Sequence, residues 1–165
     1  MRHPRDKISY VRLTDVPLDV IDRHMTDPRI ARHLPLLDGV WDRDRTADFV
    51  ATKESYWERD GLGHQAILHG GTYAGWGGFQ KENDEWDYGL VLRPEFFGIG
   101  PRIIEDAIAF ARADARIPFV TFLLPLSRIG MKSLARLGAT YDEELEYNGV
   151  RFRKFRLDTD TVKTR

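Results

Sequence analysis

At 165 residues, 42% of them hydrophobic and 12% aromatic, the chain is long enough for one substantial core and too apolar for a disordered segment. A formal net charge of −1 gives no global pull toward nucleic acid or an acidic membrane. The lack of cysteine removes disulfides, thiol nucleophiles and thiolate metal sites together.

The opening MRHPRDKISYVRLTD has basic residues with no apolar run behind them, and no stretch nears the ~20 apolar residues of a membrane span. A cytoplasmic protein without a signal peptide is the expectation. Residues Ile8 to Leu13 read as a first strand. From Val16 to about His33 a loose helical period is interrupted by Pro28, which predicts two short helices. Asp44 to Arg59 reads as the next helix, with Phe49, Lys53, Tyr56 and Trp57 along one face.

A strand meander follows. His64 to His69 and Thr72 to Gln80 flank the hairpin signal Gly70-Gly71, and Gly75, Gly77 and Gly78 suggest a bulge or a close backbone approach in the second strand. After a polar turn at Glu82 to Glu85, Trp86 to Leu92 makes a third strand, stopped by Arg93-Pro94. Gly98-Ile99-Gly100 opens a helix with an apolar stripe at Ile103, Ile104, Ala107, Ile108, Phe110 and Ala111. Phe119 to Leu124 reads as a strand buried on both faces, so Trp86 to Leu124 is a strand–helix–strand crossover joining parallel strands. Ser127 caps a helix carrying Met131, Leu134 and Leu137, and Thr140 to Leu145 pairs with Val150 to Leu157 around Asn148-Gly149. The expected whole is one mixed α/β domain over residues 1–165, a twisted and mostly antiparallel sheet with a central parallel crossover and flanking helices.

Leu90 to Phe110 carries the chemistry. A strand delivers the chain to a glycine turn, and the unpaired N–H groups of the helix start make an anion site there, with pyrophosphate as the natural occupant. Ile103 stands where a dinucleotide fingerprint needs its third glycine, and the chain contains no P-loop, nucleophile elbow or helical zinc pair. No metal is expected.

The run Leu92-Arg93-Pro94-Glu95-Phe96-Phe97-Gly98-Ile99-Gly100 resembles the acetyl-CoA segment of GNAT N-acetyltransferases, and Ser127 to Ala139 resembles their second coenzyme A segment. The flavour is that of the RimJ/RimL-like branch. The resemblance implies transfer of an acetyl group from acetyl-CoA to a primary amine, a peptide N-terminus or a small molecule, directly within a ternary complex. It implies Val91, Leu92, Phe97, Gly98, Ile99, Gly100 and Ser127 as cofactor contacts; Arg102, where the family has a small residue, or Arg128 is the candidate cation to replace donors that this chain lacks. Departures are present: Phe97 replaces a common Arg or Gln, Pro101 removes one N–H, Ser127 replaces Asn and Gly130 replaces Ser. A non-catalytic acyl-CoA-binding or partner-binding domain is the alternative. A monomer or homodimer is expected.

Amide formation from a thioester needs a neutral amine, a donor for the carbonyl oxygen and a proton for the leaving thiolate. In the resembling family the oxygen is held by a backbone N–H at the positions of Val91 and Leu92. The acid is often a tyrosine at the position of Leu134, leaving Tyr141 and Tyr147 as looser candidates. Glu85 and Asp87 match the carboxylates that serve as base. As an i, i+2 pair on a strand they share one face, opposite Tyr88. His33, His64, Trp41, Tyr56 and Trp57 are weaker candidates for the acceptor side.

Overall fold

The computed structural model describes residues 7–31, 34, 39–126 and 131–159, and of 131–133 the backbone alone. In chain order the elements are β1 (Ile8–Val11), α1 (Leu18–Met25), α2 (Pro28–Ala31), α3 (Arg43–Asp60), β2 (His64–His69), β3 (Thr72–Glu82), β4 (Glu85–Leu92), α4 (Gly100–Ala113), β5 (Phe119–Pro125), α5 (Met131–Arg136), β6 (Thr140–Tyr147) and β7 (Val150–Asp158). The expected first strand stops two residues early, because Leu13–Asp15 turns into a short 3₁₀ segment that seats Leu13 fully inside the core. His33, Ser127, Arg128 and Gly130 lie outside the described residues.

The strands form one sheet in the order β1-β2-β3-β4-β5-β7-β6. Every neighbouring pair is antiparallel except β4 and β5, which the α4 crossover makes parallel, as the sequence predicts. At the β2–β3 turn, Gly70 and Gly71 have φ of 57° and 83°, which glycine adopts at little cost.

Two apolar layers cover the two faces of the sheet. Trp86, Tyr88 and Leu92 of β4 belong to the layer that packs on α4 through Ile103, Ile108 and Ala111. Val91 belongs to the layer of Ile21, Met25 and Val50 under α1 and α3. Phe110, on the predicted stripe, remains largely at the surface and stacks on Phe79 at 5.8 Å.

A bulge in β3 decides which side chains reach which face. Ile67 pairs with Gly75 and Leu68 with Tyr73, so Ala74 is skipped. The alternation reverses there: Tyr73 and Trp76 sit in the α1–α3 layer, Ala74 and Phe79 in the α4 layer. Trp76, and Gln80 four residues on, therefore face α3. Gly75 meets the strain with φ of 155°, and a Cβ there would fall 2.3 Å from the Val91 carbonyl oxygen.

Candidate active site

β4 and β5 pair only at Trp86 with Val120 and at Asp87 with Thr121. Beyond that point the two strands run parallel in connection but apart in space. The gap opens a cavity of about 780 Å³, reached from both faces of the sheet.

Backbone direction identifies the groups left without a strand partner. The Arg93 N–H donates to the Ala74 carbonyl at 2.8 Å, and the carbonyls of Gly89 and Val91 point at Gly77 and Gly75 of β3. Odd positions of β4 are thus committed to β3, and strand alternation turns the N–H groups of Leu90 and Leu92 toward the gap. Of the two positions expected to hold a carbonyl oxygen, Leu92 is the one whose N–H faces the opening.

On the α4 side the cavity is lined by Leu92, Phe97, Gly100, Pro101, Ile104 and Glu105, with Leu134, Arg136 and Leu137 of the α5 region opposite. Neither Gly98 nor Gly100 has a positive φ. A Cβ on Gly98 would meet nothing within 4 Å, and one on Gly100 would make an ordinary 3.6 Å contact with Leu92. No protein contact requires glycine at either place; of the two only Gly100 lines the cavity, and its N–H donates to the Phe97 carbonyl. Ile99 lies between them in the same turn. Arg102 is not among the lining residues; its charge acts on the Tyr10 hydroxyl, on the flank of α4 near β1. Arg136 is the lining cation that the sequence did not single out.

On the α3 side the cavity is lined by Lys53, His64, Trp76, Gln80, Glu82 and Asp87, with Phe152 and Tyr147 across it. Asp87 accepts a hydrogen bond from the Thr121 hydroxyl at 2.9 Å. Burial raises its pKa to about 7; the Thr121 hydrogen bond and the charges of Lys154 and Lys53 oppose that rise. Glu85 shares the face of Asp87, as expected, but it binds the Lys154 ammonium at 2.8 Å and does not line the cavity. The expectation that both carboxylates reach one cleft therefore separates: Asp87 stands at the opening, Glu85 in an ion pair beside it.

Lys53 donates to the Gln80 side-chain carbonyl at 2.8 Å, and the Gln80 amide donates to Glu82 at 2.7 Å. Burial lowers the Lys53 pKa to about 8. His64 is buried, stacked on Trp76 at 5.3 Å, and held well below the usual imidazole range by desolvation first and the Lys53 charge second. Trp41 and Trp57 do not line the cavity. Their N–H groups go to the Thr46 hydroxyl and to the His64 carbonyl, both as wall supports. Tyr56 does not line the cavity either; its ring lies 4.7 Å from the Arg59 guanidinium and 5.9 Å from the Lys53 ammonium. Tyr141 packs on Phe155 away from the opening, while Tyr147, half exposed, lines it. Leu134, only 4% exposed, is part of the core as well as the lining. Among the described residues no group of His, Asp and Glu could hold a metal ion, and no helix is long and apolar enough to cross a membrane.

Comparison with family models finds no match, and comparison with curated protein sequences finds none either. Solved structures do match. An acetyltransferase of the GnaT family, by its description, from Bordetella pertussis aligns at TM-score 0.72 and 13% identity over 92% of this chain and 95% of that one. Spermidine N-acetyltransferase from Vibrio cholerae, solved with CoA and spermine, aligns at TM-score 0.71 and 10% identity over 93% and 95%. RimL, the ribosomal L7/L12 α-N-protein acetyltransferase, solved with coenzyme A, aligns at 0.68 and 14% over 92% and 93%. At such identities the likeness establishes the fold, and the chain has the fold of the GNAT acetyltransferases.

Proposed function

We propose that the protein is an N-acetyltransferase that passes the acetyl group of acetyl-CoA directly to a primary amine, with Asp87 as general base. The observation that carries this reading is the parting of β4 from β5 just past Asp87 and Thr121, which puts a carboxylate, the strand edge at Leu90 and Leu92, and the helix start at Gly100 around one cavity.

The coenzyme lies on the α4 side, its pyrophosphate against the backbone of Gly98, Ile99 and Gly100 at the helix start, and Arg136 supplies a cation there. That the two neighbours named above were solved with coenzyme A supports this placement. The acceptor enters from the α3 side. Asp87 takes a proton from the incoming ammonium. The freed amine attacks the thioester carbonyl, whose oxygen gains charge beside the Leu92 N–H. Collapse breaks the carbon–sulfur bond and the thiolate takes a proton from the Tyr147 hydroxyl, which is restored by the proton that the acylated nitrogen sheds through cavity water. A carboxyl group titrating near 7 suits the first step, because it is half available as base at neutral pH and still basic enough to draw a proton.

The non-catalytic reading draws on Leu134, an apolar residue where the resembling family often has its acid. One experiment separates the two: coenzyme A binding by titration, together with thiol release from acetyl-CoA against a panel of amines. Binding with no release from any amine would leave a cofactor-binding domain.

A further inference from the structure

The α3 side of the cavity contains a cation whose surroundings leave it incompletely served. Lys53 has exposed neighbours at Ala51, Thr52 and Ser55, so its flexible stem had a route to water. Instead it lines the cavity, with its ammonium 5.4 Å from the Trp76 ring, 5.5 Å from Phe49 and 5.9 Å from Tyr56. An ammonium has three N–H donors, and the neutral Gln80 carbonyl takes one of them. Among the described residues Lys53 forms no ion pair. The same wall holds a second unmet polar atom, the buried Nδ1 of His64, which has no hydrogen-bond partner among the described residues. Asp87, cross-strand from Gln80, and Glu82, held by the Gln80 amide, are the nearby carboxylates.

We propose that the acceptor is a small amine that also carries a carboxylate, and that the Lys53 ammonium holds this carboxylate while Asp87 receives the amine. The assignment rests on the acetyl-transfer reading above. A desolvated ammonium with unused donors favours an anion strongly, whereas a second cation brought beside it is repelled. The acceptor is therefore complementary to two groups on one wall, an anion site at Lys53 and a proton acceptor at Asp87. An amino acid has both features within a few bonds; a polyamine has only the second, repeated. A cavity of about 780 Å³ must take the acyl-bearing arm as well, which favours a small acceptor over a folded or extended one.

The test uses the full chain and compares glycine, β-alanine and L-glutamate with glycinamide and spermidine, and with a short peptide amide beginning in Asp. Thiol release is measured for the parent, Lys53→Met and Lys53→Arg. We expect kcat/KM for the free carboxylated amines to fall roughly 10- to 100-fold in Lys53→Met and to recover in part in Lys53→Arg, while glycinamide, which senses only the effect of the lost charge on Asp87, falls several-fold less. Comparing each substrate between variants cancels the differing basicity of the amines. Equal losses for every substrate, or a parent that prefers spermidine, overturn the assignment. A preference for the Asp peptide over every free amino acid overturns the small-acceptor half of it. A binding measurement decides independently of turnover and of variant folding: the parent loaded with coenzyme A must bind N-acetylglycine more tightly than N-methylacetamide. If coenzyme A binds and no amine releases thiol, the acetyl-transfer reading fails. The N-acetylglycine comparison then still decides Lys53.

Discussion

Asp87 and Thr121 are the last residues that β4 and β5 pair, and the Thr121 hydroxyl donates to the Asp87 carboxyl at 2.9 Å at the point where the strands part. The hydrogen bond fixes the carboxyl at the opening, and its partial burial raises the pKa to about 7. Asp87→Asn should lower turnover ~10²–10⁴-fold with coenzyme A affinity retained, as loss of a general base does. Parent activity should rise with pH through about 7, as the carboxyl loses its proton. Glu85→Gln, which breaks the ion pair with Lys154, should leave turnover within a few-fold. Equal turnover in parent and Asp87→Asn would remove the base from the mechanism.

The same carboxyl has a stability signature. The folded protein holds this proton more tightly than the unfolded chain, since an ordinary aspartate loses it near pH 4. Its contribution to stability is therefore complete in acid and lost as pH rises through 7. Asp87→Asn removes that loss. The variant should gain about 1–3 kcal/mol over the parent between pH 4 and pH 8, discounted from the full shift because the group still meets cavity water. Thermal melts of both proteins across that range check it, and parallel curves would contradict the raised pKa.

Much of this arrangement is legible in the sequence, and the reasons are local. Gly70-Gly71 and Asn148-Gly149 take left-handed backbone, so both hairpin turns follow from residue type. The α4 stripe and the apolar β5 run specify the parallel crossover. What the sequence hides is contact across distance. The glycines of β3 announce a bulge, yet only pairing shows that Ala74 is the skipped residue and that Trp76 and Gln80 consequently face Lys53. Arg102 and Arg136 look alike as surface cations on helices. Which one lines the cavity depends on how α4 and α5 are rotated over the gap, and that is set by packing of Ile103 and Leu134.

The glycine turn separates ligand binding from folding. Gly98→Ala and Gly100→Ala add a Cβ that meets open space or an ordinary contact, so their melting temperatures should stay within a degree or two of the parent. If the backbone there meets the pyrophosphate, coenzyme A affinity should fall by ~1–3 kcal/mol in Gly100→Val, because the branched side chain holds the phosphates off the neighbouring N–H groups. Calorimetric titration of a folded Gly100→Val protein with unchanged affinity would remove the turn from the site.

Arg136→Ala and Arg102→Ala form the paired test of the cation. Arg136 lines the cavity across from Gly100, so if it reaches the phosphates its loss should weaken coenzyme A several-fold, and less at high salt because the side chain is exposed. Arg102 acts on Tyr10 instead, and its loss should matter less. Titration at two ionic strengths reads both. A larger loss for Arg102→Ala would return the phosphate contact to the position that the sequence suggests.

Tyr147 is the remaining element of the proposed transfer, and its test turns on a comparison of three side chains. A thiolate leaving group is basic enough at neutral pH to need a proton as the carbon–sulfur bond breaks. Leu134 lines the cavity with no hydroxyl to give, and Tyr141 packs on Phe155 outside it. Tyr147 ends β6 with its ring in the lining and half exposed, so its hydroxyl is free of core constraints and can turn toward the sulfur. Tyr147→Phe should cut turnover roughly 10- to 100-fold while leaving coenzyme A affinity and thermal stability near the parent's, since a half-exposed hydroxyl contributes little to folding. Tyr141→Phe is the control and should be neutral in all three measurements. Leu134→Tyr in the Tyr147→Phe background asks whether position matters more than identity. Overpacking a residue that is 4% exposed costs ~1–3 kcal/mol of stability, but a hydroxyl at that place should restore part of the rate. Full activity in Tyr147→Phe alone would show that the thiolate takes its proton from water in the open cavity.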